Sequence, residues 1–355
     1  MKLGFGLYLH QLDDAHLRFA QQCGATHIVV HLVDYFKGGN DQTRGDQPVG
    51  VIDGEWGVAG DPDRLWSQAL LDTLRERIAA HGLVFHAIEN FDPAHWYDIL
   101  LDGPRRAEQI AGVQTMIERA GRAGVQVIGY NFSLAGVFGR IKGPFARGGA
   151  EVVGMDGLPD SPLPDGVVWN MRLPAGIRDT ARRARVDADT LWDRLARFLH
   201  EVLPTAEKAG VRLAAHPDDP PVERLRDTPR LIHRPELFLR LLDVSDSPSN
   251  ALEFCLGTLA EMPGDDPYTV IEQCAARQGI GYLHCRNVRG KVPHYMETFI
   301  DEGELDLRRV VAILRRHRFD GVLIPDHAPG MTCAAPWHAG MAYTMGYLRA
   351  LLSTP

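Results

Sequence analysis

Cysteine is scarce and poorly placed for cross-linking. The 355 residues hold five, Cys23, Cys255, Cys274, Cys285 and Cys333, an odd number, widely spaced and with no Cys-x-x-Cys pair. A disulfide framework is disfavoured and reduced thiols are expected, one of them a candidate ligand. Positive charge is also short: 38 Lys and Arg face 46 Asp and Glu, a formal charge of −8, which argues against a nucleic-acid surface. No apolar run is long enough to cross a bilayer, and the first residues lack the basic-then-apolar pattern of a secretion leader. A cytoplasmic protein with neither membrane nor nucleic-acid partner is the expectation. No Gly-x-Gly-x-x-Gly follows the first strand, so a dinucleotide-binding open sheet is disfavoured.

Apolar residues, by contrast, make up 45% of the chain, enough for a large core. Length alone would allow two or three domains, but one α/β barrel often reaches this size. Short apolar runs that do not alternate predict strands at residues 3–7, 26–31, 83–88, 125–130, 211–215, 251–254, 280–284 and 322–324. Between and after them, helical patterns cover residues 13–23, 63–81, 104–123, 190–209, 235–242, 266–277, 305–317 and 337–352. The second of these carries Leu65, Leu70, Leu74 and Ile78 at helical spacing. Eight strand-then-helix units predict an α/β fold, a closed (β/α)8 TIM barrel forming one domain over residues 1–355. Two stretches break the rhythm. Residues 33–61 are Gly- and Asp-rich, and about 133–187, after the fourth strand, form a Gly-, Pro- and Arg-rich insertion expected to cover the top of the site.

Ligand-type residues sit at the ends of the last four predicted strands. These are His216, Cys255, His284 and Asp326, the last followed by His327. In a barrel such ends converge on one mouth, and a metal needs three to six donors within about 2.0–2.5 Å of one point. Taken singly, a strand-end cysteine is more often a small buried apolar residue, and a lone histidine more often hydrogen-bonded packing. Four at equivalent ends of successive strands favour a shared cation, and a thiolate in the set suggests zinc or iron.

The stretches around these residues carry a resemblance. His216-Pro217-Asp218-Asp219-Pro220-Pro221, Phe254-Cys255-x-Gly257, Leu283-His284-x-Arg286-Asn287-Val288 and Pro325-Asp326-His327 together resemble the mannonate dehydratase family. Gly24-Ala25-Thr26, Gly82-Leu83-Val84, Tyr130-Asn131-Phe132 and Gly303-x-Leu305-Asp306 extend the likeness over most of the chain. The resemblance implies a metal-dependent hydro-lyase that turns D-mannonate into 2-keto-3-deoxy-D-gluconate. It implies divalent manganese held by His216, Cys255, His284 and Asp326, His327 as acid/base, and a homo-oligomer.

Other roles follow from placement and chemistry. Arg286 and Asn287 are candidates to grip the substrate carboxylate, Asn131 to bond a sugar hydroxyl, and Asp218 and Asp219 to orient the histidine or a metal-bound water. Departures from the family pattern are equally specific. Met341 stands where the family has a proton-transferring tyrosine, leaving Tyr343, two residues on, as the displaced candidate. The family's paired histidines are replaced around Val33-Asp34, and its Phe-His-Glu reads Tyr295-Met296-Glu297. His31, His86 and His294 are candidate replacements. This pattern suggests a divergent member, and a metal-dependent isomerase or epimerase and a non-catalytic sugar-acid binder remain as alternatives.

Overall fold

The structure, a computed structural model, describes residues 1–34, 66–178, 186–264 and 266–353. The irregular stretch expected at 33–61 therefore lies, from residue 35, outside the described residues, as does the expected start of the second helix.

Eight parallel strands close on themselves: β1 (Lys2–Tyr8), β2 (His27–His31), β3 (Val84–Glu89), β4 (Val127–Tyr130), β5 (Arg212–Ala215), β6 (Asn250–Cys255), β7 (Ile280–Cys285) and β8 (Val322–Pro325). Each pairs with its sequence neighbours, and β1 meets β8 at Lys2↔Val322 and Leu3↔Leu323 to seal the barrel. This is the (β/α)8 barrel expected from the apolar runs. The strands are largely apolar because both faces are covered. Alternate residues point inward, and one inner layer consists of Val29, Ala87, Val127, Ala214, Ala251, Tyr282, Val322 and Ile324. Two residues further along, the inward positions become His31, Glu89, Gly129, Glu253 and His284, so the packing turns polar as it nears the mouth. Register fixes this level, with His31↔Glu89, Glu89↔Gly129 and Cys255↔His284 opposite one another.

The surrounding helices are α1 (Asp14–Gln22), α2 (Gln68–Ala80), α3 (Pro93–Leu101), α4 (Arg106–Arg122), α5 (Ala188–Ala209), α6 (Pro235–Asp243), α7 (Leu256–Glu261), α8 (Pro267–Ala276), α9 (Leu307–Arg316) and α10 (Pro336–Ser353). Acidic caps start many of them: Asp13, Asp92, Asp187, Asp266 and Asp306 each accept from a backbone N–H in the first turn. Helix α5 buries Leu191, Leu195, Phe198, Val202 and Ala206 at helical spacing and stops at Gly210, whose φ of +68° suits glycine. Helix α3 was not expected, although Asp92 as cap and Pro93 in the first turn are helix-start signals.

The insertion after β4 carries strands of its own. Arg140–Gly143 and Val152–Asp156 pair antiparallel, and Val152–Asp156 pairs in turn with His294–Thr298 of a hairpin that follows β7 (Asn287–Lys291 and His294–Thr298). A four-stranded sheet thus roofs one side of the mouth. Residues 179–185 of the expected insertion lie outside the described residues.

Candidate metal centre and active site

The ends of β5, β6 and β7 bring His216, Cys255 and His284 together, with ligand atoms all within 4.8 Å of one another. Asp326, just past β8, completes the set: its Oδ2 lies 3.7 Å from Cys255 Sγ and its Oδ1 3.9 Å from His284 Nδ1. Second partners orient both imidazoles. His216 Nδ1 donates to the Pro217 carbonyl at 2.5 Å, which leaves Nε2 as the free donor. His284 Nε2 lies 3.2 Å from both Glu89 Oε2 and Glu253 Oε1, whereas its buried Nδ1 has no hydrogen bond. Such carboxylate–histidine pairs fix which nitrogen faces a cation. Glu89, Glu253 and His284 also cluster within 4.8 Å, but there Glu89 Oε2 is taken up by a hydrogen bond to His284 Nε2 that orients the ring, with Glu253 Oε1 paired to the same nitrogen at 3.2 Å.

Charge prepares the donors. Burial pushes the Cys255 thiol up, but the Arg286 guanidinium and the His216 and His284 imidazoles outweigh it and hold it at about 5. Cys255 Sγ also caps α7, accepting from Thr258 N at 3.4 Å, which favours the thiolate. His216 is lowered by burial yet raised further by Cys255 and Glu253, to about 9. Burial raises Asp326, but His327, His284 and Arg286 hold it well below the usual carboxylate range. An anionic sulfur, an anionic carboxylate and two oriented imidazoles fit a divalent cation.

Beside this set, His327 is held from two sides: Nδ1 lies 2.8 Å from Glu297 Oε1 and Nε2 3.2 Å from Asp326 Oδ1. The cavity above it is bordered by Tyr8 and His31 from β1 and β2, by Asn131 after β4, by Arg140 and Trp169 of the insertion, and by Met341 of α10. Asn131 Nδ2 donates to Asn90 Oδ1 at 2.7 Å, and Arg140 Nη2 pairs with Asp219 Oδ2 at 2.7 Å. Burial raises Asp219, but Arg140 and Arg286 bring it to about 2.

The sequence model of the D-mannonate dehydratase (UxuA) family matches residues 1–145 and 164–351. The chain belongs to the mannonate dehydratase family. It is accordingly a hydro-lyase on a (β/α)8 barrel. A mannonate dehydratase of Streptococcus equi subsp. zooepidemicus is 30% identical over 276 residues, 74% of this chain and 74% of that one. The crystal structure of mannonate dehydratase from Streptococcus suis serotype 2 superposes with a TM-score of 0.73 at 26% identity, covering 99% of this chain and 93% of that one. D-psicose 3-epimerase from Clostridium cellulolyticum H10, at 12% identity and a TM-score of 0.55, shares the fold.

Of the residues that the sequence singled out, His216, Cys255, His284, Asp326 and His327 converge, and Asn131 borders the same cavity. Four others do not reach it. Arg286 is buried, and its guanidinium is taken up by Asp326, Glu261, Asp219 and Thr258. Gly257 explains its motif position: a Cβ there would sit 2.3 Å from Arg286 Cγ. Asn287 bonds the Leu305 carbonyl and N–H, and Gly303, at φ +96°, leaves room for it. Asp218 accepts from Ser133 Oγ and from the Leu231 and Ile232 N–H groups. Tyr343 accepts from Arg147 at 3.3 Å and packs on Phe299. Among the candidate replacements, His31 borders the cavity, His86 packs on His27 at the opposite end of the barrel, and His294 is exposed beside Asp156. Glu89, Glu253 and Arg140 are not signalled as site residues by the sequence motifs, and Glu297 appears there only as the end of Tyr295-Met296-Glu297. The signal was present for the first two, since each is an acid within or ending an apolar strand.

Proposed function

We propose that the chain dehydrates an aldonic acid of the D-mannonate type to the 2-keto-3-deoxy acid, with His216, Cys255, His284 and Asp326 holding the divalent cation, which we assign as manganese. The convergence of these four side chains beside His327 carries the proposal. A cation bound there supplies Lewis-acid stabilisation for charge developing on the substrate's carboxylate and hydroxyl oxygens. The reaction removes the proton on C2 and the hydroxyl on C3, which departs as water. The resulting enol takes a proton at C3 to become the ketone. His327 transfers a proton at Nε2, the nitrogen 3.2 Å from Asp326 Oδ1 on the metal side, while Glu297 holds Nδ1. Asn131 bonds a sugar hydroxyl. Arg286 supports from behind, fixing Asp326 and lowering Cys255. Tyr343 stands by through Arg147 rather than at the cavity edge. We assign the chain to the cytoplasm, as one barrel domain that works as a homo-oligomer; no helix among the described residues is long and apolar enough to span a membrane.

The test is to incubate manganese-loaded protein with a panel of aldonates and aldoses and assay 2-keto-3-deoxy acid. Formation of that product from mannonate supports the assignment, and interconverted sugars without loss of water would overturn it. His327→Ala should retain its metal and lose turnover by about 10²–10⁴-fold, the usual worth of a positioned acid/base. Wild-type turnover would remove the role of His327.

A further inference from the structure

Residues 146–163 fall between the two stretches that match the family, yet they touch both segments that hold His327. On one side, Val152–Asp156 pairs with the strand that delivers Glu297, with Met155 opposite Tyr295 and Gly154 opposite Met296. The approach is close: a Cβ on Gly154 would lie 2.6 Å from the Tyr295 carbonyl. On the other side, Glu151 exchanges both backbone hydrogen bonds with Gly330, three residues after His327, at 3.2 and 2.8 Å. Arg147 pins the start of this segment. Its guanidinium pairs with Asp301 at 3.1 Å and Glu302 at 2.6 Å, lies over the Phe299 ring at 4.5 Å and donates to Tyr343. Ala146, Ala150, Val152 and Phe299 pack beneath it.

We propose that residues 146–156 form a strap, anchored by Arg147, that positions His327 for proton transfer by fixing Glu297 and the Gly330 backbone at once. Arg147 and Glu151 are positioning residues; neither borders the cavity. The physical need is plain, because His327 follows a short strand and lies in a loop whose aim depends on what it packs against. A misplacement of about 1 Å in a reacting group can cost about 10²-fold in rate. The strap also accounts for Tyr343, which is tied to Arg147 at the outer edge of α10.

This inference rests on His327 as the acid/base, and the experiment separates the two. Arg147→Ala removes the anchor, and Glu151→Pro removes the N–H given to Gly330 while leaving the side-chain chemistry of the cavity untouched. With manganese and mannonate, each should lower kcat about tenfold, leave KM within twofold, and keep wild-type metal content and circular dichroism. Arg147→Lys should recover part of the loss. In a His327→Gln background neither change should reduce the residual rate further, because both act through that ring. With diamagnetic zinc in place of manganese, both should also shift the His327 imidazole resonance, assigned by its disappearance in His327→Gln. An unmoved resonance, wild-type kcat in both variants, or losses that add in full to that of His327→Gln would overturn the strap. A shifted resonance together with an active His327→Gln protein would uphold the strap and overturn the acid/base role alone.

Discussion

Metal binding should release protons, and the site sets the window. In the metal-free protein His216 is held at about 9 and Cys255 at about 5, so between those values the two stand as imidazolium and thiolate. A ring nitrogen must lose its proton to become a ligand. At pH 7, two units below the His216 value, about one His216 in 100 is free, against about half at pH 9, so this ring alone should make apparent affinity about 50-fold weaker at pH 7 than at pH 9. His284, also raised well above its ordinary value by Glu89, Asp326 and Glu253 against the opposing effect of burial, adds a second proton. The logarithm of affinity should therefore climb with a slope between about one and two from roughly pH 6.5 to 8.5 and flatten once the imidazoles are neutral. Cys255 contributes no proton there, and steepens the loss only as pH falls through about 5. For folding of the metal-free chain the His216 sign is reversed: its stabilisation is full below the ordinary imidazole value and disappears as pH rises through about 9. Titration calorimetry in two buffers of different ionisation heat counts the protons, and chelator competition from pH 6.5 to 9 gives the slope. Cys255→Ser should weaken binding and flatten the slope, because the anion that raises His216 is gone. Heats independent of buffer, with equal affinity at pH 7 and pH 9, would refute the imidazolium–thiolate site.

Gly129→Ala should damage both barrel and site, since its Cβ would lie 2.0 Å from Glu253 Oε2 and 2.7 Å from the Tyr282 hydroxyl. A cost of about 1–3 kcal/mol in urea unfolding is expected from overpacking, and about 10–100-fold in metal affinity from a displaced Glu253, with wild-type values in both counting against the orienting role. Asn287→Ala should cost about 1–3 kcal/mol in unfolding, by leaving the Leu305 groups unpaired, with KM for mannonate unchanged within twofold. A large rise in KM with normal stability would return Asn287 to the substrate.

The barrel was legible because its strands are buried on both faces and so read as unbroken apolar runs. The convergence of His216, Cys255, His284 and Asp326 was legible because each ends such a run, and a closed barrel brings strand ends together whatever their separation in sequence. What sequence concealed were non-local pairings and directions. The strand Val152–Asp156 finds its partner at His294–Thr298, some 140 residues away, without a hairpin turn to announce it. Following His284 in sequence suggests substrate contacts for Arg286 and Asn287; alternation along the chain instead sends them to Asp326, Glu261 and the Leu305 backbone. Glu253 looked like one more residue of Leu252-Glu253-Phe254 until the register put it beneath His284.

These placements separate two kinds of family likeness. Gly257, Arg286, Asn287, Gly303 and Asp218 are all in resembling motifs, and none borders the cavity; they keep anions and imidazoles where a cation can use them. Arg286 alone holds Asp326, Asp219 and Glu261 within one planar fork, so a lysine could not replace its geometry. The departures fall elsewhere. Met341 borders the cavity, Met296 lies on the hairpin strand beside Glu297, and Val33-Asp34 follows the β2 strand that carries His31. A chain can therefore keep the electrostatic machinery that makes a thiolate–carboxylate–imidazole site while reshaping the walls that face the sugar.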